Sequence, residues 1–159
     1  MPTTWRSTNS EYLVDSNVLV YLVHISSVFH LEATLAVERL ESEGVRLVFT
    51  AQNIIEFWSV CTRPVGSGGL GYSVAMSEMQ VTALQQRFQL VSDPPLLHEG
   101  WLKTVIDHRV MGRQVHDARI ATSLRLLGIN RLLTKNVKDF KRYSFLEAID
   151  PAEILAGKH

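Results

Sequence analysis

Three carboxylates stand where a sheet of parallel strands puts its chemistry. Asp15 closes the short apolar run Tyr12-Leu13-Val14, just before a helical stretch at 18–23. Glu56 interrupts an apolar helical stretch, Ile54-Ile55-Glu56-Phe57-Trp58. Asp117 falls in the first turn of a helix with apolar residues at 120, 124 and 127 and Gly128 at its C-terminal cap. Each has an ordinary explanation. Asp15 is a candidate N-cap, a role that Ser16 or Asn17 can share. Glu56 either points to water or is buried for a purpose, and with Gln52 and Asn53 beside it an exposed face is one reading. Asp117 complements the positive end of a helix dipole. Taken together they suggest more, because strand ends and the adjoining helices can meet at one edge of a parallel sheet. Carboxylates that converge repel and raise one another's pKa unless a cation neutralises them. Oxygen donors without Cys or His partners favour Mg²⁺ or Mn²⁺. The chemistry that such a site serves is phosphoryl transfer or phosphodiester hydrolysis, with water activated and the phosphate polarised by the metal.

The elements that must hold these residues follow from patterning. Strands are expected at Tyr12–Val14, Val45–Phe49, Leu90–Val91 and Arg131–Thr134, with a final edge strand in Tyr143–Ile149. Between them, helical spacing covers 30–43, the stretch after Thr50 to about Thr62, the stretch after Ser73 to about Phe88, Leu96–Val110 and the helix of Asp117. A last short helix starts at Asp150-Pro151. Strands separated by helices imply a mostly parallel sheet of four to five strands with right-handed crossovers, an α/β fold. Thr134, Asn136 and Asp139 follow the fourth strand and belong at its functional carboxyl edge.

At 159 residues the chain is expected to form one domain, residues 1–159, burying roughly 70% of its unfolded surface. Met1–Ser10 reads as a flexible tail without an apolar signal core, and no run of 18 apolar residues spans a membrane. The single Cys61 fits a reducing compartment, so a cytoplasmic protein with no membrane partner is expected. Net charge is zero, yet residues 1–99 hold 5 Lys/Arg against 10 Asp/Glu, and residues 100–159 hold 11 against 6. That is either a basic face that steers nucleic acid toward an acidic pocket or a solvated surface of scattered charge.

Four blocks carry a family resemblance. They are Leu13-Val14-Asp15-Ser16-Asn17-Val18-Leu19, Asn53-Ile54-Ile55-Glu56, His116-Asp117-Ala118-Arg119-Ile120-Ala121 and Leu133-Thr134-Lys135-Asn136-Val137-Lys138-Asp139-Phe140. In order and interval they resemble the signature blocks of a PIN domain, most closely the VapC-type toxins of bacterial toxin–antitoxin pairs, over about Tyr12 to Leu155. The resemblance implies a three-layer α/β/α sandwich and a Mg²⁺-dependent ribonuclease, with Mn²⁺ as a substitute. It puts Asp15, Glu56 and Asp117 at the family's first three acidic positions. The fourth is often Asp where this chain has Asn136, with Asp139 close behind, and either could complete the site. Asp15 and Asp117 are expected to hold the metal, with Glu56 completing the shell or orienting water. Thr134 and Asn136 would hold water or phosphate, and Asp139 would add charge. Ser16, Arg63 and His116 are the remaining candidates for substrate contact. The expected partners are RNA, a cognate antitoxin and a second copy of the chain, since the helices at 18–23 and 73–88 carry more apolar surface than one small sheet needs.

Other classes remain as alternatives: a PIN-like nuclease outside a toxin pair, or an RNA-binding or interaction domain without turnover. A phospho-receiver also uses a strand-end Asp and a Lys, but it needs an acidic pair near the first strand, where only Glu11 is present. Gly66-Ser67-Gly68-Gly69-Leu70-Gly71 spells a dinucleotide fingerprint but follows a helix rather than the first strand of a βαβ unit, so it reads as a loop, with Arg63 as its one candidate for gripping substrate. The six histidines lack metal-binding spacing; His116 either contacts a phosphate or lies on the surface.

Overall fold

The computed structural model describes residues 10–159; apart from Ser10, the expected N-terminal tail, including Trp5, lies outside the described residues. Five strands, β1 (Glu11–Val14), β2 (Arg46–Thr50), β3 (Gln89–Val91), β4 (Arg131–Leu133) and β5 (Glu147–Ile149), form one sheet in the order β3-β2-β1-β4-β5. Every pairing is parallel. The chain builds outward from β1 to β2 and β3, then crosses back to lay β4 on the other side of β1. The order therefore reverses beside β1, and the carboxyl ends of β1 and β4 flank the crevice where such sheets bind ligands.

Alternation along the strands feeds two separate cores. Tyr12, Val14, Leu47, Phe49 and Leu133 face one, while Leu13, Val48 and Leu132 face the other. That is why the central strands read as unbroken apolar runs: both faces are covered. The first face carries α1 (Ser16–Val23), α2 (His30–Ser42), α3 (Ala51–Thr62), α4 (Val74–Arg87) and α8 (Pro151–Leu155); the second carries α5 (Leu97–Asp107), α6 (Gln114–Leu127) and α7 (Val137–Phe140). The result is the three-layer α/β/α sandwich that the family resemblance implies.

Local chemistry fixes the elements that matter for the site. At the start of α3, Asn53 Oδ1 accepts from both the backbone N and the hydroxyl of Thr50, at 2.9 and 2.8 Å. This side-chain clasp holds the strand-to-helix corner that presents Glu56. Helix α6 buries Ala118, Ile120, Ala121 and Leu124 and ends at Gly128 in the left-handed conformation, φ 72°. Leu124→Ala would cost about 2–5 kcal/mol and loosen the seat of Asp117. Among the described residues no helix is long and apolar enough to cross a membrane.

Three expectations shift. The final strand is only Glu147–Ile149, because Tyr143 turns inward and is buried, its ring edge-on to His108 at 5.1 Å. Gln52 and Asn53, which suggested an exposed helix face, are 7% and 0% exposed. Val18, Leu19 and Val20 of α1 are all buried in the first core, whereas α4 leaves Val74, Met76 and Met79 exposed.

Candidate acidic site

Asp15 leaves β1 with its backbone still in the ladder, its N–H donating to Leu133 O at 3.0 Å, and then caps α1. Its Oδ1 accepts from Ser16 N at 2.8 Å. Its Oδ2 accepts from the Thr134 hydroxyl at 2.7 Å and from Asn17 Nδ2 at 3.2 Å. The residue is only 6% exposed. Its pKa is raised to about 6: burial is the main cause, the donors from Thr134 and Ser16 pull the other way, and the charges of Glu56 and Asp117 contribute to the rise. Asp15 thus caps α1 and lines the cleft at once.

Glu56 is half-buried, with both oxygens held. Ser16 Oγ donates to Oε2 at 2.7 Å and Gln52 Nε2 donates to Oε1 at 2.8 Å. Asn53 Nδ2 donates in turn to Ser16 Oγ at 3.3 Å, which orients the hydroxyl toward the carboxylate. Asp117, in the first turn of α6, is also half-buried. Its pKa is raised to about 6, by burial first and then by the charges of Asp139 and Glu56, against the opposing Arg142 and Arg113.

These groups line one open cleft of about 640 Å³. Asp15, Ser16, Glu56, Arg63, His116, Asp117, Asn136 and Asp139 all reach its wall. Thr134 does not; it is fully buried beneath, holding Asp15. Asn136 precedes α7 and makes no side-chain cap, so α7 carries Asp139 one turn further along the same wall. Lys135 is committed elsewhere, its Nζ paired with Glu32 and Asp150 at 2.8 and 2.9 Å.

Three contributors were not legible in the sequence. Asn17 bridges Asp15 and Thr134, its Nδ2 donating to both. Arg113, at the N-terminal end of α6, adds a cation to the rim beside Arg63. Gln52 donates to Glu56 from one turn earlier on α3. Single Asn, Arg and Gln residues carry no spacing signal; the i, i+4 interval from Gln52 to Glu56 was the one available hint.

The donor set tests the fit of a divalent cation. Among the described residues, no three His, Cys, Asp or Glu side chains gather closely enough to hold an ion by themselves. Mg²⁺ asks for less: one or two carboxylates and several waters. Two carboxyls raised by burial and by like charge, with Glu56, Asn136 and Asp139 on the same wall as further oxygen donors, suit that coordination.

An all-parallel sheet of order β3-β2-β1-β4-β5, between two helical layers and with its acids at the reversal point, defines a PIN-like α/β domain. The likeness extends to VapC-type proteins. Over 140 residues the chain is 26% identical to Ribonuclease VapC24 of Mycobacterium tuberculosis, covering 87% of this chain and 94% of that one. The fold matches VapBC2 of Rickettsia felis, solved bound to a promoter DNA fragment, with a TM-score of 0.67 at 14% identity over 88% of this chain and 98% of that one. It also matches a toxin–antitoxin complex from Klebsiella pneumoniae, with a TM-score of 0.59 at 20% identity over 88% and 97%. No protein-family model matches the chain.

Proposed function

We propose that the protein is a Mg²⁺-dependent endoribonuclease, the toxin of a toxin–antitoxin pair, built as a single domain over the whole chain. The observation that carries the reading is the meeting of Asp15, Glu56 and Asp117 on one cleft at the carboxyl edge of the sheet. The likeness to a protein named a ribonuclease supports the reaction, and the likeness to a toxin–antitoxin complex supports an antitoxin partner.

Asp15 and Asp117 would hold the ion. When bound, it supplies a positive charge for the phosphate and a more acidic water. Glu56, tethered by Ser16 and Gln52, orients that water or completes the shell. Arg63 and Arg113 on the rim, with His116, would draw the RNA phosphates inward; Asn136 offers a neutral donor at the wall, which Ser16 also lines with its hydroxyl hydrogen given to Glu56. Thr134 acts from below by holding Asp15. A cytoplasmic site of action accords with an RNA substrate.

Incubating the purified chain with structured RNA in Mg²⁺, in Mn²⁺ and in excess chelator tests the reading. Cleavage in either metal that stops with chelator is expected. Undiminished cleavage in chelator would remove the metal from the proposal, and RNA binding without cleavage in any metal would favour an RNA-binding domain.

A further inference from the structure

The three acids of the cleft lie on three different elements, and two side chains set their spacing. Ser16, the residue after Asp15, donates to Glu56 Oε2 at 2.7 Å. On the other side Gln52 Nε2 donates both to Glu56 Oε1 at 2.8 Å and to the carbonyl of His116, the residue before Asp117, at 3.0 Å. The Gln52 amide has no second way to sit. Its Oε1 accepts from Arg119 Nη1 at 3.0 Å, and a guanidinium only donates, so both Nε2 hydrogens must go to Glu56 and His116. Arg119 is itself anchored by Asp93 just beyond β3, Nη2 to Oδ2 at 2.7 Å. Gln52 is 7% exposed, so water competes little for these bonds.

We infer that Gln52 is a positioning residue of the acidic cleft: its locked amide sets the place of the Glu56 carboxylate relative to Asp117. The inference rests on the nuclease reading and deepens it. Without the amide, Glu56 keeps Ser16 but loses its tie to the start of α6. Its carboxylate can then swing away from the wall that carries Asp117. A misplacement of about 1 Å at a reacting centre costs on the order of a hundredfold in rate. Chemistry distinguishes this from packing. Met fills the volume of Gln52 without a donor; Glu fills it with an acceptor aimed at a carboxylate and a carbonyl, so Gln52→Glu should be worse than Gln52→Met. Packing alone predicts two mild and equal effects. Arg119→Met leaves the Nε2 donors in place and frees only the lock, so it should cost least.

The test measures kcat and KM for RNA cleavage in Mg²⁺, Mn²⁺ affinity by calorimetry, and the chemical denaturation midpoint in chelator, for wild type, Gln52→Met, Gln52→Glu and Arg119→Met. Each Gln52 variant is also made in a Glu56→Ala background. Expected are kcat losses in the order Gln52→Glu, Gln52→Met, Arg119→Met, with KM nearly unchanged and Mn²⁺ affinity falling in the same order. In the Glu56→Ala background, where the acceptor for Gln52 is gone, the cost of Gln52→Met should largely vanish. Equal losses in both backgrounds, or wild-type kcat and metal affinity in both Gln52 variants, would overturn the inference while leaving the nuclease reading intact. If wild type binds Mn²⁺ but does not cleave, unchanged affinity in the variants overturns it and an ordered fall supports it. A wild type that neither cleaves RNA nor binds the ion ends both.

Discussion

The hydroxyl of Thr134 stands 2.7 Å from Asp15 Oδ2 and donates to it across the seam where β1 pairs with β4. The same Oγ1 accepts from Asn17 Nδ2 at 3.1 Å and from Asn136 N at 3.0 Å, so its one hydrogen is committed to the carboxylate. This bond is the largest influence opposing the rise in the Asp15 pKa. Thr134→Val keeps the shape and removes the donor. The Asp15 carboxyl should then titrate higher still, and the acidic limb of the cleavage–pH profile should move to higher pH. Thr134→Ser should restore it. Stability should fall by about 1–3 kcal/mol, since a buried acceptor is left short. Superimposable profiles for wild type and Thr134→Val would show that this hydroxyl does not tune the site.

Replacing the acids one at a time asks which of them the reaction needs. Asp15→Asn and Asp117→Asn conserve size and remove charge. Each is expected to lower cleavage by orders of magnitude, because a ligand of the activating ion is lost, while circular dichroism remains that of the folded protein. Wild-type rates in either variant would reduce that residue to a cap.

Stability should depend on pH in an unusual direction. The Asp15 carboxyl is raised from 3.8 to about 6 and Asp117 likewise, so the metal-free native state holds protons more tightly than the unfolded chain. Their contribution to stability is therefore fully present below about pH 4 and is lost as pH rises through about 6. For the buried Asp15 the loss is about 3 kcal/mol. Denaturation in chelator at pH 4, 5, 6 and 7 should show it, and Asp15→Asn should flatten the slope. Mg²⁺ should stabilise the protein at pH 7 and hardly at all at pH 4. A wild-type slope in Asp15→Asn would mean that other groups carry the dependence.

Exposed apolar side chains on α4 motivate an oligomer. Val74 and Met79 are each 66% exposed, and Met76 lies between them. Sedimentation at micromolar concentration should give a homodimer, and Met79→Glu should give monomers. A monomeric wild type would leave this face to another partner.

Much of this architecture was legible because the signals are periodic. The apolar runs Tyr12–Val14 and Arg131–Leu133 become adjacent central strands, and the helix of Asp117 has the expected start, buried stripe and Gly128 stop. Strand ends in a parallel sheet share one edge, so Asp15 and Thr134 could be placed on that edge from order alone, though not beside each other. What escaped was set by tertiary contact. Gln52 and Asn53 read as surface residues because polar side chains usually are; here each is buried by bonding a partner from another element, His116 or Ser16. Tyr143 belonged to an alternating run, but its ring packs against His108 from the end of α5, and no local pattern encodes that contact. Arg113 was one charge among many in the basic half.

The fourth acidic position remains the most informative to alter. Asn136 and Asp139 both line the cleft, one turn apart, and the backbone N–H of Asp139 donates to Asn136 O at 3.0 Å. After burial, Asp139 is the strongest influence raising the Asp117 pKa, so its carboxylate acts on the site electrostatically. Its side chain makes no hydrogen bond among the described residues, which argues against a role in capping the turn before Phe140. With Asn136 neutral, the inner wall holds Asp15, Glu56 and Asp117, charge enough for one Mg²⁺. One tightly held ion is therefore expected, with at most a weaker second site near Asp139. Asp139→Asn should lower activity most at low Mg²⁺ and recover in part at high Mg²⁺, because the lost attraction can be offset by concentration. Asn136→Asp should tighten metal binding by adding a charge at the wall. Calorimetric titration of both variants decides: affinities equal to wild type in each would take the pair out of the metal site, and a loss of stability alone in Asp139→Asn would return that residue to a structural role.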